Sequence, residues 1–320
     1  MTAPSTTFLV CGEALVDLFY EPGPPGPSQK RWVVGGAPLN LAVGLARLGS
    51  SVSLFAGVST DKLGSEILAL LKSEGVNTDL VEFSDRPSMV ARVEIDERGH
   101  PTYSFPVTNG ADRSLRGNKV LMHDASVVVV GSYLAVCRET KETIRRIAEA
   151  KREQSVICYD CNVRLSIVPE RALWRHALEQ LLPLTDVLKV SDEDLEGLFG
   201  PKGDYDELAG QFLSAGPSLV LLTRGASGAS AYFAQGTVHV PARNVRVVDT
   251  VGAGDSFFSA VLAQLADQRL LSRSRLTRLS VAEASDALQH GVAAAALTCS
   301  REGARLPTKS EQLAFVKIDI

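Results

Sequence analysis

Short apolar runs that alternate with helical patterns constrain the fold of this chain most. Apolar runs typical of buried strands cover residues 7–12, 51–58, 125–131, 155–160, 186–191 and 218–223. Helical spacing of apolar residues covers 37–48, 62–73, 139–151, 171–182 and 193–199. This alternation predicts an α/β fold with a mainly parallel sheet covered by helices on both faces. In such sheets, ligands bind beyond the carboxyl ends of the strands.

Two segments depart from this alternation. Residues 16–34 contain a glycine-proline turn between apolar stretches, and residues 88–105 alternate apolar and polar side chains around "DERGHP". Such alternation predicts antiparallel strands with one solvent-facing side, outside the main sheet. We expect them to pair as a small β lid formed by about 18–34 and 88–107; loose surface hairpins are the alternative. No linker divides the chain, so residues 1–320 are predicted to form one domain.

Composition excludes several classes of function. The chain has 33 Lys and Arg against 37 Asp and Glu, a net charge of -4, so no overall positive field favours nucleic acid or an anionic membrane as a partner. No apolar stretch is long enough to span a bilayer and no signal peptide is evident, which predicts a cytoplasmic protein. The five cysteines are scattered and are expected to be reduced core thiols, since Cys158 and Cys161 lack the further ligands of a zinc site.

The stretch "DTVGAGDSFF", residues 249–258, predicts an anion site. Val245–Val248 are interpreted as a strand end, and apolar spacing from Ala253 onward predicts a helix. The first amides of a helix have no internal hydrogen-bond acceptor, and glycine lets an anion approach them closely. We therefore expect the turn at 252–255 to bind a phosphate group.

Two carboxylates flank this turn. Asp255 either caps the helix or accepts a proton, and Asp249 adds a second charge six residues earlier, which favours a catalytic base or a bound cation. Neither GxxxxGK[ST] nor GxGxxG after the first strand is present. P-loop hydrolases and nicotinamide-dependent oxidoreductases are therefore disfavoured.

Two motifs carry a family resemblance, "GGAPLNLAVGLARLG" at 35–49 and "DTVGAGDSFFSA" at 249–260. In these the chain resembles the ribokinase-like carbohydrate kinases, also called the phosphofructokinase B family. "CGEALVD", "DCNVR" and "KVSDEDL" are most similar to bacterial fructokinases. The resemblance implies a three-layer α/β sandwich with a central mainly parallel sheet and a β-sheet lid. It also implies transfer of the γ-phosphate of ATP to a primary sugar hydroxyl, with Mg²⁺ required and K⁺ a further candidate cofactor.

The resemblance assigns the chemical step to the carboxy-terminal motif. Asp255 matches the catalytic base. Asp249 matches a residue associated with a monovalent cation, with backbone groups near Cys299 and Gly303 as further candidates. The positions that match the anion hole, whose amides would stabilise the transferring phosphoryl group, are Gly252, Ala253 and Gly254.

The sugar-binding residues implied by the resemblance come from several segments. Asp17 matches a clamp for sugar hydroxyls, and Phe105 is a candidate to stack on the sugar from the lid. Arg164 matches a ligand of the sugar or the phosphates, although Cys161 stands where the family usually has proline. The remaining matches are Gly35, Gly36 and Asn40. The alternatives are a turn residue for Asp17, a core position for Phe105, a surface position for Arg164 and a helix-entry turn for the glycines.

The nucleotide-binding matches are Ser191, Thr223, Gly225 and Gly228. Ser191 and Asp194 stand where the family has Asn and Glu in a segment that organises Mg²⁺-bound water. Asp194 is the shorter acid, and the neighbouring Glu193 is a candidate to compensate. Without the resemblance, "SDED" predicts a capped helix start, and the glycines predict a simple hairpin turn.

These features predict a sugar kinase, with conversion of fructose to fructose 6-phosphate as the first choice. Ribokinase, 2-keto-3-deoxygluconate kinase and nucleoside kinase are the enzyme alternatives. A non-catalytic sugar- or nucleotide-binding homologue is the alternative from another class. The expected partner is a small-molecule sugar, and the protein is expected to be a monomer or a homodimer.

Overall fold

The structure, a computed structural model, describes residues 6–20, 30–95, 101–106, 109–201 and 203–317. Its strands are β1 (Thr7–Cys11), β2 (Leu15–Tyr20), β3 (Lys30–Gly35), β4 (Ser51–Phe55), β5 (Gly57–Ser59), β6 (Glu82–Ser84), β7 (Val90–Ile95), β8 (Pro101–Ser104), β9 (Val127–Gly131), β10 (Val156–Asp160), β11 (Val187–Ser191), β12 (Leu219–Thr223), β13 (Ala229–Phe233) and β14 (Gly236–Val240). Its helices are α1 (Ala37–Arg47), α2 (Lys62–Ser73), α3 (Asn118–Leu121), α4 (Lys141–Lys151), α5 (Arg171–Leu181), α6 (Asp192–Phe199), α7 (Tyr205–Ala215), α8 (Ala253–Asp267), α9 (Arg273–Leu276), α10 (Val281–Cys299) and α11 (Lys309–Val316).

The main sheet has eight strands in the order β14-β13-β12-β11-β10-β9-β1-β4. The six strands from β4 to β12 run parallel, and β13 and β14 extend the sheet antiparallel. Cys11, Gly131, Asp160, Ser191 and Thr223 end five of the parallel strands at one edge. The predicted mainly parallel α/β sheet is confirmed, and its carboxyl edge gathers residues that are far apart in the chain.

Alternate side chains of the central strands pack into two hydrophobic cores, one on each face of the main sheet. Val127 and Val129 of β9 pack with α1, α2, α8 and α10 on one face. Val128 and Val130 pack with α4, α5, α6 and α7 on the other. Because consecutive side chains of a strand point to opposite faces, an unbroken apolar run is what a sheet covered on both faces requires.

A second sheet has the order β3-β2-β7-β8 and confirms that the two irregular segments pair outside the main sheet. The pairs β2–β3 and β7–β8 are antiparallel hairpins, as expected. The central pair β2–β7 is parallel, so the prediction of wholly antiparallel pairing is wrong there. Alternation specifies one solvent-facing side but carries no information about strand direction. Residues 21–29, 96–100 and 107 of the predicted lid lie outside the described residues.

Two further strand predictions are corrected. Val245–Val248 do not end a strand; instead, the amide of Val248 donates to the carbonyl of Cys299 at 2.8 Å, so the end of α10 takes the place of a neighbouring strand. The predicted run 51–58 is two strands, because the chain leaves the main sheet at Ala56 and β5 pairs with β6. The five predicted helices begin and end within two residues of the observed bounds. No helix among the described residues is both long and apolar enough to cross a membrane.

Candidate active site

The two signature stretches meet at Asp255. This carboxylate lies in the first turn of α8 and is buried. Its Oδ2 atom accepts a hydrogen bond from Nδ2 of Asn40 on α1, at 2.8 Å. The amino-terminal and carboxy-terminal motifs, 215 residues apart at this pair, are thus joined by one buried contact.

The turn before α8 has the geometry of an anion site. Gly252 adopts the left-handed conformation, with φ of 77°, and the first intrahelical bond runs from the Ser256 amide to the Gly252 carbonyl. The amide of Ala253 donates to the Thr250 carbonyl, so α8 leaves the amides of Gly254 and Asp255 without an intrahelical acceptor. Those two amides are available for a phosphate at the positive end of the helix dipole.

A lysine that sequence reasoning missed lies beneath this turn. Lys189 of β11 is 4% exposed, and its Nζ atom donates to Oδ1 of Asp160 at 2.9 Å. A methyl group on Gly254 would lie 3.3 Å from the same Nζ atom. The signal was a charged residue inside the apolar run "DVLKVS", which is rare in a buried strand.

The charges around Asp255 oppose the cost of burying it. Burial raises the pKa of Asp255, whereas the Asn40 hydrogen bond and the charges of Lys189 and Arg164 lower it. Burial likewise raises the pKa of Asp160 to about 6, against the attraction of Lys189. Asp160 is therefore mainly ionised at neutral pH and forms an ion pair with Lys189.

The predicted sugar ligands Asp17 and Gly35 lie side by side in the second sheet. A methyl group on Gly35 would lie 2.9 Å from Oδ2 of Asp17, so a larger residue there would force this carboxylate to shift. Burial raises the pKa of Asp17 to about 6, and the charge of Arg164 opposes the shift. Gly36, with φ of 108°, precedes α1 and directs that helix, with Asn40, toward Asp255.

The two remaining sugar candidates differ in their surroundings. Arg164 is exposed, and its charge acts on both Asp17 and Asp255, which places it near both carboxylates. Phe105 is half-buried and packs against the core beneath α4–α7. The core position is thus observed for Phe105, and its stacking on a sugar stays a prediction.

Glu13 is a second residue that sequence reasoning missed. Its Oε1 atom accepts from Ser132 Oγ at 2.7 Å, and Asn162 Nδ2 donates to the same Oγ at 3.2 Å. Oε2 of Glu13 is buried with no partner among the described residues. Burial raises the pKa of Glu13 to about 8, more than the Ser132 hydrogen bond lowers it, so this carboxyl group is mainly protonated at pH 7. Ser132 and Asn162 have φ of 56° and 39°, and such strained backbone is concentrated at functional sites.

Asp194 forms a capping box with Ser191 at the start of α6. Its Oδ2 atom accepts from the Ser191 amide at 2.9 Å, and its Oδ1 atom accepts from the Val163 amide at 2.7 Å. The two amide hydrogen bonds fix the orientation of the carboxylate, and each oxygen keeps a second lone pair that could accept a hydrogen bond from a Mg²⁺-bound water. Glu193 beside it is exposed. The role of Asp194 toward Mg²⁺-bound water stays a prediction.

Asp249 joins two backbone segments behind the proposed anion site by hydrogen bonds. Its oxygens accept from the amides of Val251 at 3.0 Å and Gly303 at 2.9 Å. This brings together the backbone segments expected near a monovalent cation, although the carboxylate itself is held by amides. The described residues contain no group of three or more His, Cys, Asp and Glu side chains that could hold a metal ion.

The predicted nucleotide residues lie at the same edge of the sheet. Ser191 and Thr223 are register partners that end β11 and β12. Gly225 and Gly228 form the turn between β12 and β13, with φ of 45° and 91°. A methyl group on Gly228 would lie 2.1 Å from the Val240 carbonyl oxygen. The turn joins two antiparallel strands, as the alternative of a simple hairpin turn predicted. Contact of these residues with ATP stays a prediction.

A cavity of about 560 Å³ opens at the opposite edge of the main sheet, beside Thr7, Ser126 and Val156. These residues lie at the amino ends of β1, β9 and β10. In open α/β sheets, ligands bind at the carboxyl edge. We therefore place the candidate site at the carboxyl edge, with Asp17, Asn40, Lys189 and Asp255, and not in this cavity.

The large, mostly parallel sheet with its helices and the small separate sheet form a ribokinase-like α/β fold. Residues 9–311 match the model of the pfkB family carbohydrate kinases, and the chain belongs to that family. The resemblance read from the two motifs is thereby confirmed.

Three fructokinases are similar to this chain over most of its length. A fructokinase of Rhizobium leguminosarum bv. trifolii is 33% identical over 273 residues, which cover 85% of this chain and 83% of the relative. The structure of a Xylella fastidiosa fructokinase with bound ATP has a TM-score of 0.88 and 26% identity, covering 98% of both chains. A double-mutant Vibrio cholerae fructokinase with fructose, ADP and potassium ion bound has a TM-score of 0.83 and 25% identity, again covering 98% of both chains.

Proposed function

We propose that this sugar kinase transfers the γ-phosphoryl group of ATP to the 6-hydroxyl group of fructose. The observation that carries the proposal is the buried Asp255 carboxylate, held by Asn40 beside the amides of Gly254 and Asp255 that α8 leaves without an intrahelical acceptor. Fructose is the first choice because the relatives are fructokinases, one of them solved with fructose and ADP.

The geometry supports an in-line transfer. Asp255 accepts the hydroxyl proton as the sugar oxygen forms a bond to the γ-phosphorus, and the bond from that phosphorus to the bridging oxygen of ADP breaks. The amides of the anion hole stabilise the charge on the transferring group. Mg²⁺ supplies neutralisation of the phosphate charge when it is bound with ATP. Asp194 would hold Mg²⁺ through a bound water, since each of its oxygens keeps a lone pair beside its amide hydrogen bond.

The second sheet is proposed to act as a lid. It carries Asp17 and Gly35, so sugar that binds these residues lies between the lid and the carboxyl edge of the main sheet. Two hydroxyl hydrogen bonds to one carboxylate fix the orientation of a polyol. Exclusion of water by the sheet protects ATP from hydrolysis.

A substrate panel tests the proposal. Release of ADP is measured with ATP and Mg²⁺ against fructose, ribose, 2-keto-3-deoxygluconate and a nucleoside, with and without potassium. We expect the highest kcat/KM for fructose. A higher value for another acceptor would replace fructose while keeping the kinase. No acceptor-dependent ADP above an Asp255→Ala control would favour a binding homologue without turnover.

A further inference from the structure

Lys189 is a buried cation that has no role in the proposed phosphoryl transfer. It lies at the carboxyl end of β11, with its Nζ atom 2.9 Å from Asp160 Oδ1 and directly beneath Gly254. A buried ammonium is costly unless it is paired, and a lysine whose only task was to fill the core would be better replaced by an apolar side chain. Its position under the anion-binding turn points to an electrostatic task.

Lys189 faces more negative charge than one ion pair requires. Burial lowers its pKa, but the attractions of Asp160, Asp194 and Asp255 outweigh that effect and leave its pKa above the ordinary lysine value. Asp160 and Asp194 belong to different segments, β10 and α6, so the lysine is the common cation of a cluster of buried carboxylates.

The charges near Asp255 come from three elements. The loop after β10 contributes Arg164, β11 contributes Lys189, and β10 contributes the negative charge of Asp160. Asn40 of α1 adds an uncharged hydrogen-bond donor. The charge of Arg164 is exposed and screened by solvent, whereas the charge of Lys189 is buried and screened much less.

We propose that Lys189 is a positioning residue of the phosphoryl-transfer site: held by Asp160 beneath the Gly254 turn, it keeps the Asp255 carboxylate ionised and thus able to accept a proton. This role rests on the proposed function of Asp255 as a base. The lysine contacts neither the reacting atoms nor the sugar. It acts on the Asp255 carboxylate only through its positive charge.

A titration of Asp255 itself tests the role without relying on activity. Protein carrying ¹³C-labelled aspartate is titrated from pH 4 to 9, and the Asp255 carboxyl signal is identified by its loss in Asp255→Asn. In Lys189→Met, which keeps the length of the unbranched stem and removes the charged ammonium group, the titration midpoint of Asp255 should move upward. In Asp160→Asn, which frees the lysine from its partner, it should move downward.

The double variant Lys189→Met with Asp160→Asn controls for folding, since it leaves neither an unpaired buried lysine nor an unpaired Asp160. Its Asp255 midpoint should lie between those of the two single variants. An unchanged midpoint in Lys189→Met, or equal midpoints in all folded variants, would overturn the proposal. A shifted midpoint in a protein that makes no ADP would keep the role of Lys189 and reject the proposed function instead.

The pH profile of kcat/KM provides the kinetic readout. For Lys189→Met we expect a loss of about tenfold or more at pH 6 that shrinks toward pH 9, because higher pH restores the ionised base. A loss of equal size at every pH would show that the lysine only supports the structure, and would contradict the proposal.

Discussion

At the scale of single residues, the carboxyl edge buries acids in different electrostatic surroundings. Asp255 is held by Asn40 and faced by Lys189, while Glu13 has a neutral hydroxyl partner and one oxygen without any. The motifs predicted Asp255 and Asn40, because their spacing in the sequence matches a family. Lys189 and Glu13 were missed, since their partners lie in segments distant in sequence and each looks like an isolated charge in an apolar run.

Replacement of Glu13 by Gln should change how stability depends on pH. Because the pKa of Glu13 rises from 4.5 to about 8 on folding, the folded state holds a proton that the unfolded state loses, and stability falls as pH rises through this window. Glu13→Gln removes that slope, so the variant should gain stability over the wild type by up to about 4 kcal/mol at pH 8.

Urea unfolding of both proteins at pH 5 and pH 8 measures this difference. Glu283→Gln, at the start of α10, is the control: hydrogen bonds from Ser280 lower the pKa of this carboxyl, so it stays ionised between pH 5 and pH 8 and its removal should leave the pH dependence in that range unchanged. An equal pH dependence of unfolding in wild type and Glu13→Gln would show that Glu13 is ionised in the folded protein.

At the scale of secondary-structure elements, the start of α8 determines the shape of the anion site. The apolar spacing predicted this helix, and "GAG" predicted a close turn before it. The preceding Val245–Val248 was wrongly predicted as a strand, because valine-rich spacing cannot reveal that the end of α10 supplies the hydrogen-bond acceptor. Bonds between segments that are distant in sequence decide such cases.

Gly252→Ala should impair both stability and turnover. Its φ is 77°, and its new methyl group would lie 2.7 Å from Ala304 Cβ, which forces the loop at 300–304 away from the anion site. Gly75→Ala is the matched control, with φ of 76° and no atom within 4 Å of the added group. Each pays about 1 kcal/mol for the backbone conformation, and Gly252→Ala loses more because of the contact.

Unfolding free energies and kcat of the two alanine variants separate these effects. Gly75→Ala should keep kcat, whereas Gly252→Ala should lower it about tenfold or more through the displaced amides. Equal stability losses and an unchanged kcat in Gly252→Ala would contradict the geometry given for the turn.

At the scale of the whole molecule, the residues proposed for chemistry and for sugar binding belong to different layers. The proposed base and anion site lie at the start of α8, which packs on the main sheet, and the second sheet carries Asp17 beside Gly35. Alternation of apolar runs predicted the main sheet, and polar-apolar alternation predicted that the second sheet lies apart. The parallel pairing of β2 and β7 could not be predicted from this alternation, since it depends on where each hairpin leaves the main sheet.

Asp17→Asn should weaken sugar binding without disturbing the fold. At a fructose concentration about 100-fold above its Kd, ligand binding stabilises a protein by about 2.7 kcal/mol, and the variant should lose most of this gain. Thermal unfolding with and without fructose, in the absence of ATP, measures it. A fructose-dependent Tm increase of the same size in Asp17→Asn and wild type would remove this residue from the sugar site.

The most direct test of the central claim compares the wild type with Asp255→Asn, which keeps the size of the side chain and can still accept the Asn40 hydrogen bond. With fructose, ATP and Mg²⁺, the wild type should form fructose 6-phosphate and ADP in equal amounts. Asp255→Asn should be slower in kcat by about a hundred- to ten-thousandfold, with its unfolding temperature retained. Equal rates in the two proteins would contradict the assignment of Asp255 as the base, and with it the account of this site.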